Sequence, residues 1–376
     1  MSDTYELIAD QDSWERCHAA LRAAPRFAVD LEANSLHAYR EEICLIQLST
    51  ETQDYILDPL SGVDWSALGG LLADPAIEKV FHASDYDLTL LKSLHGWDVR
   101  HLFDTMWAGR VLGFEKMGLA SVLKEVLGVE LTKKYQKADW GRRPLTPEQL
   151  DYARNDTHYL LPLRDALEER LREMGCLEEI REIFEAECHS DAVTRAYDPE
   201  SFWHARGVRD LSPRALAIFR ALHHFREEEA KRRNVPPFKV VNDQMLMKIA
   251  GRAAECEGIV AEVPGVSDKL LDRLGHRLQR AVEQGRRAPV PKPPKRPPRP
   301  NSSPGFLLRY EALLEWRKKT ARARGVESDV ILSRSTVVEL AEKNPRGMAE
   351  LGRIESLGPY RRDRYAGEIL KVLEEA

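Results

Sequence analysis

Apolar residues in the first 170 positions recur with two different periods. In PheAlaValAspLeuGlu at 27–32, Phe27, Val29 and Leu31 alternate with Asp30 and Glu32, the period of a strand with one buried face. The pattern predicts strands at 26–32, 42–49, 53–57 and 78–82, with a shorter fifth just before Asp104. Glu41-Glu42 and the Thr50–Gln53 turn suggest hairpin links among the first three. Helical spacing predicts helices near Asp12–Ala23 and at 85–95, 104–113, 118–127 and 147–173. The last has a well-marked start in Thr146-Pro147-Glu148-Gln149, an N-cap followed by Pro at the first helical position and Gln where a capping box needs it. Patterns alone give a mixed α/β domain.

From about residue 210 the strand period disappears. Within this helical part the chain repeats itself 91 residues on: Phe219-Arg220-Ala221-Leu222 parallels Tyr310-Glu311-Ala312-Leu313, and Phe225-Arg226 parallels Trp316-Arg317. Ala230 matches Ala321, Val235 matches Val326, and Ile249-Ala250 matches Leu340-Ala341. Two copies of one small helical module is the economical reading. Phe225 and Trp316, at equivalent places, read as core residues rather than stacking platforms. Between the copies, Arg286 to Pro300 holds six basic residues, no acids, and too much proline for helix or sheet. It predicts an extended polyproline spacer, either a cationic arm on phosphates or merely a soluble tether.

Charge sharpens this division. The net charge of −5 conceals 21 Lys/Arg against 38 Asp/Glu in residues 1–200, and 35 against 23 in residues 201–376. The basic half suits a polyanion. Much of the acidity of the first half lies in runs at 168–174 and 178–187 that read as solvated helix. Five scattered cysteines without a C-x-x-C pair argue against a zinc site or disulfide framework and for a reducing, cytoplasmic setting. No apolar run is long enough to span a bilayer, and the first residues begin no signal peptide, so no membrane association is expected.

The candidate chemistry lies in four acids from three segments. Asp30 and Glu32, two apart on a strand, share a face with Cα atoms roughly 6.5–7 Å apart. Asp87 falls in the first turn of a helix opened by Ser84 or Asp85, where the helix dipole favours a negative charge. His82 just before it reads as a core histidine. Tyr152 and Asp156, four apart, stack on one helix face. Brought together, such acids repel one another unless cations lie between them, and an all-oxygen set suits Mg²⁺ or Mn²⁺. A phenol one turn from a metal-binding acid can orient an attacking water or help to deprotonate it.

Each fragment is common alone, but their order and spacing resemble the DEDD family of 3′–5′ exonucleases, tyrosine subclass. Asp30-x-Glu32, Asp87 and Tyr152-x-x-x-Asp156 carry the match; the histidine subclass would need His at position 151, which is Asp. IleCysLeuIleGlnLeu at 43–48, PheAspThrMetTrpAlaGly at 103–109 and AspTrpGlyArgArgProLeu at 139–145 further resemble the ribonuclease D branch. One departure is Asp30-Leu31-Glu32-Ala33, where that branch often has Asp-Thr-Glu-Phe; it leaves the acids intact and puts contacts to the terminal nucleotide in doubt.

The resemblance implies a ribonuclease-H-like exonuclease domain at 1–195, then two helical helicase-and-RNase-D C-terminal (HRDC-like) domains at 208–286 and 305–376, joined by the 287–304 linker. It implies two divalent ions on Asp30, Glu32, Asp87 and Asp156, with Tyr152 positioning water, and release of 5′-mononucleotides from RNA with a free 3′ end, tRNA precursors first among them. No protein partner is implied. A DNA 3′–5′ exonuclease and an inactive nucleic-acid-binding scaffold are the competing readings. For substrate grip, Lys133, Lys134, Gln136, Arg142 and Arg143 sit among aromatics in the loop before the last motif, a mixture that suits single-stranded nucleic acid. Trp140 in that loop reads as a core anchor. Lys231-Arg232-Arg233, Arg322, Arg324 and Arg361-Arg362 are phosphate candidates in the helical modules.

Overall fold

The computed structural model describes residues 4–132, 134–189, 197–256, 260–294 and 303–376. Contacts divide the chain into two compact units. One comprises Met1–Glu32, Ile43–Val193 and Pro297–Ala376, the other Ala33–Glu42 and Thr194–Arg296.

The first unit is built on a six-stranded sheet of order β1-β4-β3-β2-β5-β6. Its strands are β1 (Tyr5–Ile8), β2 (Arg26–Ala33), β3 (Ile43–Ser49), β4 (Asp54–Leu57), β5 (Glu78–Phe81) and β6 (Leu102–Asp104). The hairpin expected at Thr50–Gln53 joins β3 and β4, which pair antiparallel with Ser49 opposite Asp54. β2 runs parallel to β5, and β5 to β6. Every residue of β3 is buried, polar Gln47 and Ser49 along with the apolar residues 43–46 and Leu48. β1 was not foreseen. Four residues at a sheet edge carry too little pattern, and parallel pairing with β4 makes them a strand.

Around the sheet lie α1 (Gln11–Ala23), α2 (Leu68–Ala73), α3 (Asp85–His95), α4 (Thr105–Val111), α5 (Leu119–Leu127), α6 (Pro147–His158), α7 (Leu160–Glu173) and α8 (Leu177–Cys188). The short α2 escaped sequence reading because Gly69 and Gly70 weaken its propensity. Gly69 is needed there, since a Cβ would lie 2.6 Å from the Trp97 ring. The single helix expected at 147–173 is two. Pro162 has no N–H to bond the His158 carbonyl and its ring crowds that carbonyl, so the chain breaks at Tyr159 (φ −98°, ψ 0°) and restarts as α7.

The second unit is the first helical module, with α9 (Pro213–Arg233), α10 (Pro237–Val240), α11 (Asp243–Glu255) and α12 (Asp268–Arg287) around Phe219, Leu222, Ile249 and Leu278. The segment following β2 belongs to it. Asn234, which ends α9 in the left-handed conformation, accepts the N–H groups of Tyr39 and Arg40 at 3.1 Å each, and the Tyr39 hydroxyl donates to Glu227 at 2.7 Å. Of the proline-rich spacer, residues 295–302 lie outside the described residues.

The second module repeats the first in α13 (Pro304–Arg324), α14 (Ser328–Ile331), α15 (Arg334–Lys343), α16 (Met348–Leu351) and α17 (Pro359–Glu375). The starts of α13, α14, α15 and α17 each fall 91 residues after their counterparts, as the repeat requires. This module packs on α8, and there the sequence reading needs correcting. Glu179 is fully buried rather than solvated, and Arg324 donates to both its oxygens at 2.7 Å and to the Tyr365 hydroxyl at 2.6 Å. Glu182 accepts the Tyr360 N–H at 2.8 Å and pairs with buried Arg361. Arg324 and Arg361 are therefore docking groups, not phosphate contacts.

Candidate active site

β2 delivers Asp30 and Glu32 to one face, as alternation demands, and α6 brings Asp156 to them. A carboxylate oxygen from each lies within 4.8 Å of the others. A point among them lies within about 2.8 Å of all three, close to the ordinary oxygen–metal distances of roughly 2.0–2.6 Å. Asp87, buried in the first turn of α3, stands outside that trio. Its charge nevertheless acts on Glu32 and the charge of Asp30 acts on it, so the four acids form one electrostatic group.

No described Lys or Arg is ion-paired with any of these acids, and burial is the main influence on each. It pushes Asp30 up to about 7 and, with the Asp30 charge, Asp156 up to about 8. Glu32 is raised by burial and by the charges of Asp30, Asp156 and Asp87. Asp87 is raised by burial, then by Asp30 and Asp104. Protein cations normally relieve such a group. Unrelieved, with oxygens gathered within one ion's reach, these acids fit a divalent cation.

Two buried networks fix the geometry. In the first, Asp54 on β4 accepts from Arg154 Nε, bonds His158 Nδ1 and accepts from Ser49 Oγ, each at 2.7 Å, while Ser49 Oγ lies 2.7 Å from Thr157 Oγ1. Arg154, Thr157 and His158 flank Asp156, so this network sets the height of α6 on the sheet. In the second, Asp104 at the end of β6 accepts four backbone N–H groups: Ala83 at 3.1 Å, Ser84 at 2.7 Å, Met106 at 2.7 Å and Trp107 at 3.3 Å. It holds the turn into α3, where Ala83 adopts a left-handed φ of 62°. The expected caps do not act: Ser84 has helical backbone angles and its side chain makes no capping bond. Neither network was read from the sequence. The PheAspThr fragment signalled that Asp104 opens a helix; nothing local marks Asp54.

Tyr152 lies on the α6 face of Asp156 under an aromatic lid. Trp140, buried as expected, stacks on it with centroids 6.2 Å apart and planes inclined by 29°, and Tyr135 meets it edge-on at 6.0 Å. Burial, then the charges of Asp156, Glu32 and Asp30, raise the phenol above its usual value, so it keeps its proton. The capping box at the start of α6 is present, with Gln149 N donating to Thr146 Oγ1 and Thr146 N to Gln149 Oε1. His82 bonds Thr105 through Nδ1 at 2.9 Å and is a structural histidine.

The loop before α6 separates the substrate-grip candidates. Lys134 is exposed, its ammonium 5.1 Å from the centre of the Tyr135 ring; Gln136 and Arg142 are also exposed. Lys133 lies outside the described residues. Arg143 is a correction. It forks onto Asp58 with two bonds of 2.7 Å and donates to the Trp140, Arg142 and Cys44 carbonyls, so its guanidinium is committed to anchoring the loop.

Comparison with known proteins agrees with this geometry. Residues 5–172 match the family model described as 3′-5′ exonuclease, and residues 215–282 and 307–373 each match the HRDC domain. The ribonuclease D of Gluconacetobacter diazotrophicus is 33% identical over 300 residues, 78% of this chain and 76% of that protein. That of Acidiphilium cryptum is 31% identical over 331 residues, 86% and 83% of the two chains. The crystal structure of Escherichia coli RNase D, an exoribonuclease involved in structured RNA processing, superimposes with a TM-score of 0.66 at 26% identity, over 99% of both chains. Among the described residues, no helix is long and apolar enough to cross a membrane. With relatives of this kind matching most of its length, and a metal-ready cluster of acids in its nuclease part, the chain belongs to the ribonuclease D family and is a 3′–5′ exoribonuclease.

Proposed function

We propose that the enzyme removes 5′-mononucleotides one at a time from the 3′ ends of structured RNA, tRNA precursors first among them, using two Mg²⁺ or Mn²⁺ ions. Asp30 would be shared by both ions, Glu32 and Asp156 completing one site and Asp87 supporting the other through water. When bound, the pair would lower the pKa of the attacking water and stabilise the leaving 3′ oxygen. The chain's own groups do the positioning. Tyr152, holding its proton, orients the water through its hydroxyl and does not act as the base. Trp140 and Tyr135 keep that ring in place. Lys134, Gln136 and Arg142, all exposed, would grip the backbone of the last nucleotides, and Lys133 is a candidate from sequence alone.

The observation that carries this reading is the trio of carboxylate oxygens within 4.8 Å, one helical turn from Tyr152 and with no described Lys or Arg ion-paired to it. The test is a 5′-labelled RNA with a 3′ tail, and its DNA counterpart, incubated with Mg²⁺, Mn²⁺ or EDTA. A ladder of one-nucleotide steps on RNA, abolished by EDTA and by Asp30→Ala, is the expected result. Internal cuts, or activity that survives EDTA, would overturn it.

A further inference from the structure

The two helical modules superpose by number, and one groove differs between them. In the first module the Phe225 ring is covered by its own cation: the Arg277 guanidinium lies 5.2 Å from the ring centre and is ion-paired to Glu229, which is almost fully buried. Glu228 is exposed beside it. Ninety-one residues on, Phe225 becomes Trp316, Glu228 becomes Lys319, Glu229 becomes Thr320 and Arg277 becomes Glu368. Among the described residues, no guanidinium or ammonium covers the Trp316 ring as Arg277 covers Phe225. Instead the indole Nε1 donates at 2.7 Å to one oxygen of Glu368, an exposed residue that also lines the groove. Half-buried Trp316 then borders a cavity of about 540 Å³ between α13 and α17, which Lys319, Thr320, Arg364 and Tyr365 also line. Lys319 and Arg364 are exposed, and the Arg364 guanidinium sits 5.7 Å from the centre of the Tyr365 ring.

We infer that this groove of the second module, and not its counterpart in the first, is a binding site for single-stranded RNA, with a base against Trp316 and the flanking phosphates on Lys319 and Arg364. An aromatic wall with cations at its rim is what a strand needs when its sequence is not read. In the first module the same place is self-satisfied, since Arg277 and Glu229 complete each other there. The inference rests on RNA being the substrate and adds where a strand beyond the catalytic site is held.

The test uses the full-length protein in EDTA and a fluorescein-labelled oligouridine, read by anisotropy. Trp316→Leu should weaken binding by about tenfold, the size of one lost base stack, while Trp316→Tyr retains most of it. Lys319→Glu should weaken binding several-fold and reduce the salt dependence by about one phosphate contact. Phe225→Leu should bind as the parent protein does. Thermal melts check that each variant folds. With Mg²⁺ or Mn²⁺ restored, cleavage of a diribonucleotide, which offers only one base beyond the scissile bond, should be unchanged in all four; failure of the parent enzyme to cleave it would count against the catalytic reading instead. Normal binding by folded Trp316→Leu and Lys319→Glu, or an equal loss in Phe225→Leu, would overturn the inference.

Discussion

The carboxylate of Asp104 accepts the backbone N–H of Ser84 at 2.7 Å, three residues before the buried Asp87. One oxygen of the same carboxylate takes Ala83, Met106 and Trp107, so a single buried side chain ties the start of α3 to the start of α4. Its negative charge also helps to raise Asp87.

Asp104→Asn is therefore expected to damage the enzyme without touching the four clustered acids. With the amide oxygen placed for Met106 and Ala83, the amide NH₂ faces the Ser84 N–H, and that donor is left buried and unpaired. We expect a stability loss of about 1–3 kcal/mol and a fall in kcat of up to about 100-fold from a displaced Asp87, with KM for RNA little changed. Steady-state kinetics alongside thermal denaturation will decide; a variant with parental kcat would show that the turn does not need this cap.

Arg142 and Arg143 are neighbours with opposite expectations. Arg143→Ala removes the fork onto Asp58 and the bonds to three carbonyls. It should lower stability by about 2 kcal/mol, between the values for exposed and buried pairs. Arg142 is exposed, and Arg142→Ala should leave stability within about 0.5 kcal/mol. It should raise KM for RNA several-fold and flatten its salt dependence. Melting curves and salt titrations separate the two roles. Equal loss of stability in both variants would refute the distinction.

These neighbours show where sequence reading succeeds and where it stops. Periodicity placed Asp30 with Glu32 and Tyr152 with Asp156, because residues two apart on a strand or four apart on a helix share a face whatever surrounds them. The 91-residue repeat gave the two modules for the same reason: it is internal to the chain. Which of two adjacent arginines turns inward depends on Asp58, 85 residues away, and no local pattern carries that. Glu179 looked like one more acid on a solvated helix until Arg324, 145 residues on, closed over it. The break at Tyr159 was legible in Pro162, but the apolar spacing ran through it and masked the boundary.

The Glu179–Arg324 pair should be costly to break and cheap to replace. Arg324→Met leaves the Glu179 carboxylate fully buried without its cation, a loss of roughly 3–5 kcal/mol. Glu179→Leu combined with Arg324→Met should recover most of that loss, since no charge then remains buried. Denaturation of the two single variants and the double variant closes the cycle. An additive double variant would mean that the two side chains are not coupled.

The clustered acids Asp30 and Asp156 give the clearest dependence on pH and metal. Folding raises Asp30 to about 7 and Asp156 to about 8, against 3.8 for an unperturbed aspartate. A group whose pKa is raised on folding binds more protons in the folded state, so its contribution is full below the unfolded value and is lost as pH climbs through the folded one. In EDTA, Tm should therefore fall between about pH 5 and pH 8 as these acids ionise beside one another. Divalent ions replace the protons and should cancel that fall, each 1 kcal/mol recovered raising Tm by about 2–4 °C if the nuclease part melts as a domain of 150–250 residues. Asp30→Asn and Asp156→Asn should be inactive yet more stable than the parent in EDTA at pH 8, because each removes a charge the site does not otherwise neutralise. Differential scanning fluorimetry across pH, with and without Mg²⁺ or Mn²⁺, reads all of this at once. Identical pH profiles in metal and in EDTA would mean that these carboxylates do not hold the ions.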